Sequence, residues 1–146
     1  MGKLPFYLFL IIFVACKDRK NLNGKTEHSS VKFDSTFKLM QICAGQISPY
    51  KEMEMEGKLF QVGIVNNLTV FIFTRDSSFR TIEGYSLGTA FGSLPKYLRK
   101  NVEEELGFSY WIELKSGWRL GFCIGKSCTE HAPVDTSKVS FVFKRK

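Results

Sequence analysis

The residues best suited to chemistry lie close together near the C-terminus. Cys123 and Cys128 enclose Ile-Gly-Lys-Ser, and His131 follows three residues after the second cysteine. Gly125 permits a sharp return of the chain between the two cysteines, so the spacing favours a local disulfide, which is the pairing we prefer. Two alternatives remain open. Cys123 and Cys128 could form a thiol-redox pair, or His131 could act as the base for a Cys128 nucleophile.

Other groups of reactive side chains are interpreted as structural or solvated. A structural zinc site needs about four ligands and only His131 could join the cysteines, so no metal and no cofactor is expected. Glu52, Glu54 and Glu56 alternate with methionines, and we interpret them as the solvated face of an edge strand. No pair of nucleophile and base is well placed elsewhere, so we predict a domain that is not an enzyme.

The N-terminal segment has the pattern of a secretory signal. Met-Gly-Lys is followed by an apolar run from Leu4 to Ala15, by Cys16, and by the charged residues 17–20. The apolar run is shorter than the roughly 20 residues that span a bilayer. We therefore expect residues 1–15 to be a cleaved signal peptide.

Phe13-Val14-Ala15-Cys16 resembles a bacterial lipobox, in which a small residue precedes an invariant cysteine and Leu usually stands where Phe13 is. The resemblance implies lipidation of the Cys16 sulfur, cleavage of the Ala15–Cys16 bond, and a cell-envelope protein held on a membrane by its acyl chains. Lys17 stands where an Asp retains some lipoproteins in an inner membrane, which favours the outer membrane in a host that has one. Lipidation leaves Cys43 as the odd thiol beside the preferred pair.

The mature chain divides into a tether and one domain. Residues 16–35 are polar and too poor in apolar side chains to pack, so we expect a flexible tether. Residues 36–146 have the length of a single domain. The whole chain has a formal net charge of +7, but its basic residues are scattered. We therefore expect the membrane and an envelope protein or cell-wall component as partners, and no nucleic acid.

Two hairpins are predicted. Leu59–Val65 and Leu68–Thr74 flank Asn66-Asn67, whose residues tolerate positive φ. Phe108–Leu114 and Trp118–Ile124 flank a second turn at residues 115–117. Further short strands are predicted at residues 37–43, 51–58, 79–82 and 139–143.

One helix is predicted between the hairpins. Apolar residues recur there at helical spacing, at Phe91, Leu94, Leu98 and Val102 and, at the end of the run, Leu106, after which Gly107 would end the helix. The helix begins either at Thr89, as its N-cap, or at Ser93, which would put Pro95 in the first turn. These elements predict an α+β fold: a mostly antiparallel sheet of about five to seven strands with one helix packed on one face.

Aromatic residues on the second hairpin form the predicted binding surface. Strand alternation places Tyr110 and Trp111 on opposite faces, and one face must meet the helix. The other face would expose Trp111 beside polar neighbours, and exposed aromatic side chains mark partner or ligand surfaces. Tyr110, Trp111 and Trp118 are therefore the candidate contact residues.

Gly84-x-x-x-Gly88-Thr89 resembles the Gly-Ser/Thr helix start of small envelope modules such as the assembly lipoprotein BamE and β-lactamase-inhibitor-like domains. Those modules place helices before the sheet, whereas strands come first here, so no residue and no function is carried over. The leading hypothesis is a lipid-anchored envelope protein that binds a ligand or partner without catalysis. The alternative is a small envelope enzyme or thiol-redox protein that uses Cys128 with His131, or Cys123 with Cys128.

Overall fold

The computed structural model describes residues 38–146, which lie within one compact unit. The predicted signal peptide, Cys16 and the tether fall outside the described residues and remain expectations. The described residues form one curled antiparallel sheet of eight strands. The strands are β1 Lys38–Cys43, β2 Gln46–Met55, β3 Lys58–Val65, β4 Leu68–Thr74, β5 Glu103–Glu105, β6 Ser109–Glu113, β7 Arg119–Phe122 and β8 Phe141–Arg145.

The sheet consists of two meanders that meet at its centre. The strand order is β1-β2-β3-β4-β8-β7-β6-β5. Strands β4 and β8 pair there, with Phe73 opposite Phe143 and Phe71 opposite Arg145. The predicted C-terminal strand is confirmed, but it begins at Phe141 and lies in the middle of the sheet. Strand β1 pairs with residues 46–50 of β2, so this part of β2 is internal, whereas Glu52 and Glu54 lie beyond that pairing and pair only with β3 among the described strands.

Both predicted hairpins are confirmed. Asn66 and Asn67 have φ values of 50° and 61°, and positive φ at both central residues is what a type I′ turn between two strands requires. Gly117 has a φ of 77° in the turn between β6 and β7, a backbone conformation that glycine adopts without steric cost. Each turn is specified by residues that adjoin its strands.

The predicted fold class is wrong: the described chain is nearly all antiparallel sheet, not an α+β fold with a packed helix. Between β4 and β5, helical structure is limited to a 3₁₀ turn at Phe91–Ser93 and the short helix α1 at Lys96–Arg99. Leu94 is extended, with ψ of 146°, because the residue before a proline is sterically pushed out of the helical region. Beyond α1, the end of the predicted helix instead pairs with β6 as strand β5.

The segment before the proline is irregular. The Thr89 hydroxyl accepts a hydrogen bond from the Ser86 N–H at 3.2 Å and caps no helix. No strand forms at residues 79–82, so that prediction is wrong. A turn begins there, in which the Gly84 N–H donates to the Thr81 carbonyl at 2.8 Å. Leu94 and Leu98 are nevertheless buried against the sheet. The helical spacing of these leucines therefore predicted their burial correctly but their secondary structure incorrectly.

The sheet buries side chains on both faces. The outer face of β6–β8 packs against the segment between β4 and β5, around Ile112, Leu120, Phe122 and Val142. The inner face, toward which the sheet curls, carries a mainly aromatic cluster: Ile42, Phe71, Phe73, Phe108, Trp111, Phe141 and Phe143. Within the described part of the chain, no helix is long and apolar enough to cross a membrane.

Candidate ligand-binding site

A cavity of about 500 Å³ opens on the inner face of the sheet. Its volume lies within the range of roughly 300–1,000 Å³ that is typical of small-ligand sites. The lining side chains come from β1, β3, β4 and β8 and from the loops that follow β4, β5 and β7. Strands from both halves of the sheet therefore build one site.

Three buried phenylalanine rings form the floor of the cavity. Phe73, Phe108 and Phe141 are 9%, 8% and 3% exposed. The ring centroids of Phe73 and Phe141 are 5.1 Å apart, and those of Phe108 and Phe141 are 5.8 Å apart. Aromatic rings at these separations pack favourably. The floor is therefore apolar and held by ring-to-ring contacts.

Two polar groups in the wall are already hydrogen-bonded within the protein. The Gln41 side-chain amide donates to the Gly107 carbonyl at 2.9 Å. The Thr74 hydroxyl donates to the Leu59 carbonyl at 2.8 Å. Each side chain therefore already uses one donor within the protein.

Asp76 holds the loop that forms the rim. Its carboxylate accepts hydrogen bonds from the Ser78 hydroxyl at 2.6 Å, the Ser78 N–H at 2.8 Å and the Leu59 N–H at 3.1 Å. These bonds, first that of the Ser78 hydroxyl, hold the pKa of Asp76 below its ordinary value, because they favour the charged carboxylate. The rim loop is thereby tied to the start of β3.

Arg75 supplies positive charge at the rim. Its side chain is exposed, and its guanidinium lies 5.4 Å from the centroid of the Phe73 ring. Of the acidic side chains between residues 38 and 146, none forms an ion pair with Arg75. A cation at the edge of an apolar cavity complements a ligand with an anionic end.

The predicted cysteine pair lies beside this cavity. Cys123 and Cys128 are joined as a disulfide, and Cys128 lines the cavity. Because its sulfur is in the disulfide, Cys128 has no thiol for His131 to activate. His131 is exposed, with its Nδ1 2.9 Å from the Ala132 carbonyl. Cys43 is buried, and its thiol donates to the Gln46 side chain at 3.1 Å.

The predicted aromatic surface is not formed. Tyr110 and Trp111 lie on opposite faces of β6, as predicted, but they are only 7% and 8% exposed. Trp111 is covered by Arg119, whose guanidinium lies 4.5 Å from the ring centroid. Trp118 packs on Phe79, with ring centroids 4.9 Å apart. The prediction of an exposed Trp111 is wrong because the curl of the sheet encloses its inner face.

Apart from Cys128, the cavity residues were missed by the sequence interpretation. Phe71 and Phe73 alternate in β4, as Phe141 and Phe143 do in β8, and this pattern places both aromatic pairs on one face of their strands. That signal was available in the sequence. It becomes a cavity floor only when β4 pairs with β8, and no local pattern predicts that pairing.

Among the described residues, no group of three or more His, Cys, Asp or Glu side chains is placed to hold a metal ion. The carboxylates of Glu52, Glu54 and Glu56 are exposed along and just beyond β2. Glu52 forms an ion pair with Lys38 at 3.2 Å on the neighbouring strand. These glutamates are solvated, as predicted.

Comparison with known proteins gives a distant structural similarity. No protein-family model and no curated protein sequence matches the chain. A solved structure of the uncharacterized protein yfeY from Escherichia coli is similar to it, at 16% sequence identity and a TM-score of 0.48. The match covers 77% of this chain and 82% of that chain. No function follows from this similarity.

Proposed function

We propose that the protein is a bacterial lipoprotein, anchored in the cell envelope through lipid on Cys16, whose domain binds an envelope ligand without catalysis. The cavity carries the binding part of this proposal, because about 500 Å³ of space lies over three buried phenylalanine rings. The lipobox-like sequence Phe13-Val14-Ala15-Cys16 supports the anchor. The outer membrane is the favoured location.

The position of the floor in the sheet supports binding by a preformed site. Phe73 and Phe141 belong to β4 and β8, the two strands at the centre of the sheet. Each of these strands pairs with a neighbour on both sides. A site that is already ordered loses less entropy when a ligand binds than a site on a mobile loop. The lipid anchor would keep this site among envelope ligands.

The anchor is tested by the intact mass of the protein extracted from bacterial membranes. We expect a chain that begins at Cys16 and carries acyl mass, and a Cys16→Ser variant that lacks this mass. An unmodified wild-type chain, or one cut at another bond, would contradict the anchor. This measurement does not depend on what the domain binds.

The cavity is tested with an uncharged photoreactive alkane added to membrane vesicles that carry the full-length protein. We expect labelled peptides from β4 and β8, and labelling at least about tenfold weaker in Leu59→Trp, whose larger ring would occupy the cavity mouth. Leu68→Trp is the matched control, because Leu68 is also an exposed leucine on a strand, at 68% against 52% for Leu59, but does not line the cavity. Equal labelling of all three proteins would contradict the proposal.

A second candidate function is thiol-disulfide exchange, favoured by the disulfide at the cavity wall. It requires Cys123 and Cys128 to cycle between disulfide and dithiol in the envelope. Alkylation of thiols in intact cells measures the reduced fraction. A disulfide that stays oxidised in all growth conditions would exclude this second function and leave the binding proposal intact.

A further inference from the structure

The interior of the cavity offers a ligand little opportunity for hydrogen bonding. The wall groups of Gln41 and Thr74 are engaged with backbone carbonyls. The Gln61 amide nitrogen is directed at the Tyr50 hydroxyl, 3.5 Å away. The remaining wall side chains are Met40, Leu59 and the disulfide-bonded Cys128, none of which offers a strong hydrogen-bonding group. Polar ligand atoms over the phenylalanine floor would lose hydrogen bonds to water without replacement, so the interior favours a mainly apolar ligand body.

The rim differs from the interior in charge. The Asp76 carboxylate also lines the cavity, and it accepts three hydrogen bonds from Ser78 and Leu59 within the protein. Arg75 stands beside it with its guanidinium against the Phe73 ring. The donors of an arginine match a carboxylate in a two-pronged geometry. The rim therefore selects an anionic end on the apolar ligand.

We infer that the cavity binds a fatty acid, with its aliphatic chain over the phenylalanine floor and its carboxylate at Arg75. This inference rests on the proposed function, because it names the ligand class of the same cavity. A flexible chain fits a wall that includes Met40, whose unbranched thioether side chain adapts to a ligand surface. The exposed position of Arg75 places the carboxylate at the water boundary, where its desolvation cost is low.

The test uses competition in membrane vesicles that carry the full-length protein. A fatty acid with a diazirine in its chain labels the cavity, and dodecanoate, dodecylamine and dodecanol compete for it. The variant Arg75→Gln removes the charge. Arg80→Gln is the matched control, because Arg80 is an exposed arginine of the same loop that does not line the cavity.

We expect Arg75→Gln to raise the half-maximal concentration of dodecanoate about fivefold, the effect of losing a partly solvated ion pair. The half-maximal concentration of dodecanol should stay unchanged, and Arg80→Gln should behave as wild type. Each variant is compared with wild type for the same competitor, so partitioning of that competitor into the bilayer cancels in this comparison.

Three outcomes would overturn the inference in different ways. The carboxylate assignment fails if the half-maximal concentrations of dodecanoate and dodecanol change by the same factor in Arg75→Gln. It also fails if dodecylamine competes best. If an aromatic carboxylate of equal carbon number competes better than dodecanoate, the assignment of an aliphatic chain fails. In both cases, labelling by the uncharged alkane that is lost in Leu59→Trp would keep the proposed function. Absence of all labelling at the cavity would contradict both the fatty-acid inference and the proposed binding function.

Discussion

The Arg145 guanidinium donates to the Glu105 carboxylate at 2.7 Å, and both side chains are mostly buried, at 16% and 17% exposed. The other Glu105 oxygen accepts from the Ala44 N–H at 2.7 Å. The Arg145 Nε donates to the Ile42 carbonyl at 2.9 Å. Glu105 lies in the edge strand β5, and Ile42 lies in the opposite edge strand β1. This ion pair therefore joins both edges of the sheet to central strand β8.

Removal of Glu105 should destabilise the protein strongly. We expect Glu105→Ala to lower the free energy of unfolding by about 3 kcal/mol, because it leaves a mostly buried arginine without its carboxylate. Glu103→Ala is the control on the same strand. Its side chain is exposed, so its effect should be under about 0.5 kcal/mol. Urea unfolding followed by tryptophan fluorescence measures both values.

The same pair predicts an energetic coupling. In Glu105→Ala/Arg145→Met the unpaired charge is absent, so the double variant should lose less stability than the sum of the two single variants. The expected coupling is about 1–2 kcal/mol. Losses that simply add would mean that the contact at 2.7 Å contributes nothing to the closure of the sheet.

Asp76 should contribute to stability in a pH-dependent way. Its pKa is held below the ordinary value of 3.8, first by the Ser78 hydroxyl and then by backbone N–H groups. A lowered native pKa means that the contribution is fully present above the unfolded-state pKa and is lost as the pH falls through the native value. We expect Asp76→Asn to be less stable than wild type at neutral pH and to approach it in strong acid.

The measurement for Asp76 is the free energy of unfolding from neutral to strongly acidic pH. Glu54→Gln is the control, because Glu54 is an exposed carboxylate of β2 and should leave the acid dependence unchanged. A constant difference between Asp76→Asn and wild type over the whole range would show that the hydrogen bonds do not depend on the charge of Asp76.

Gly121 permits the ring of Phe141 to lie on β7. A Cβ at Gly121 would stand 2.6 Å from Phe141 Cδ2, which is closer than van der Waals contact allows. We expect Gly121→Ala to cost about 2 kcal/mol, because an added methyl in a packed region forces neighbouring side chains to shift. Urea unfolding measures this change.

The clash also predicts a rescue. Phe141→Leu removes the ring atoms that the new methyl would meet, so the double variant Gly121→Ala/Phe141→Leu should be more stable than the sum of the single effects predicts. Phe141 is part of the cavity floor, so the Leu variant should also weaken labelling by the uncharged alkane. Strict additivity of the two stability changes would contradict the contact.

The Cys123–Cys128 disulfide closes a short loop at the cavity wall. We expect its removal in Cys123→Ser/Cys128→Ser to cost about 2 kcal/mol, the value for cross-linking a loop of this length in the chain-entropy account. A thermal unfolding series with and without reductant measures the change. Reductant should lower the Tm of wild type and leave that of the double variant unchanged. A shift in both would point to a different reducible group.

Sequence analysis predicted the structure well where a signal and its consequence lie close together in the chain. Asn66-Asn67 and Gly117 specify their turns through backbone preferences, and the strands beside them follow. The proximity of Cys123 and Cys128 was likewise predicted from spacing and one glycine. The prediction of a long helix was wrong for a local reason that is also visible in the sequence, because Pro95 holds Leu94 in an extended conformation.

The cavity, in contrast, depends on residues that are far apart in the chain. Phe73 and Phe141 meet because β8 inserts between β4 and β7, and Arg145 reaches Glu105 and Ile42 because the sheet curls. Alternation of apolar residues predicts which face of a strand is buried, but it does not predict which other strand will pair with that strand. Turns, strands and the lipobox-like segment are thus encoded in neighbouring residues. Strand order, closure and the ligand site arise from long-range pairing, which is selected by the energy of the whole packed core.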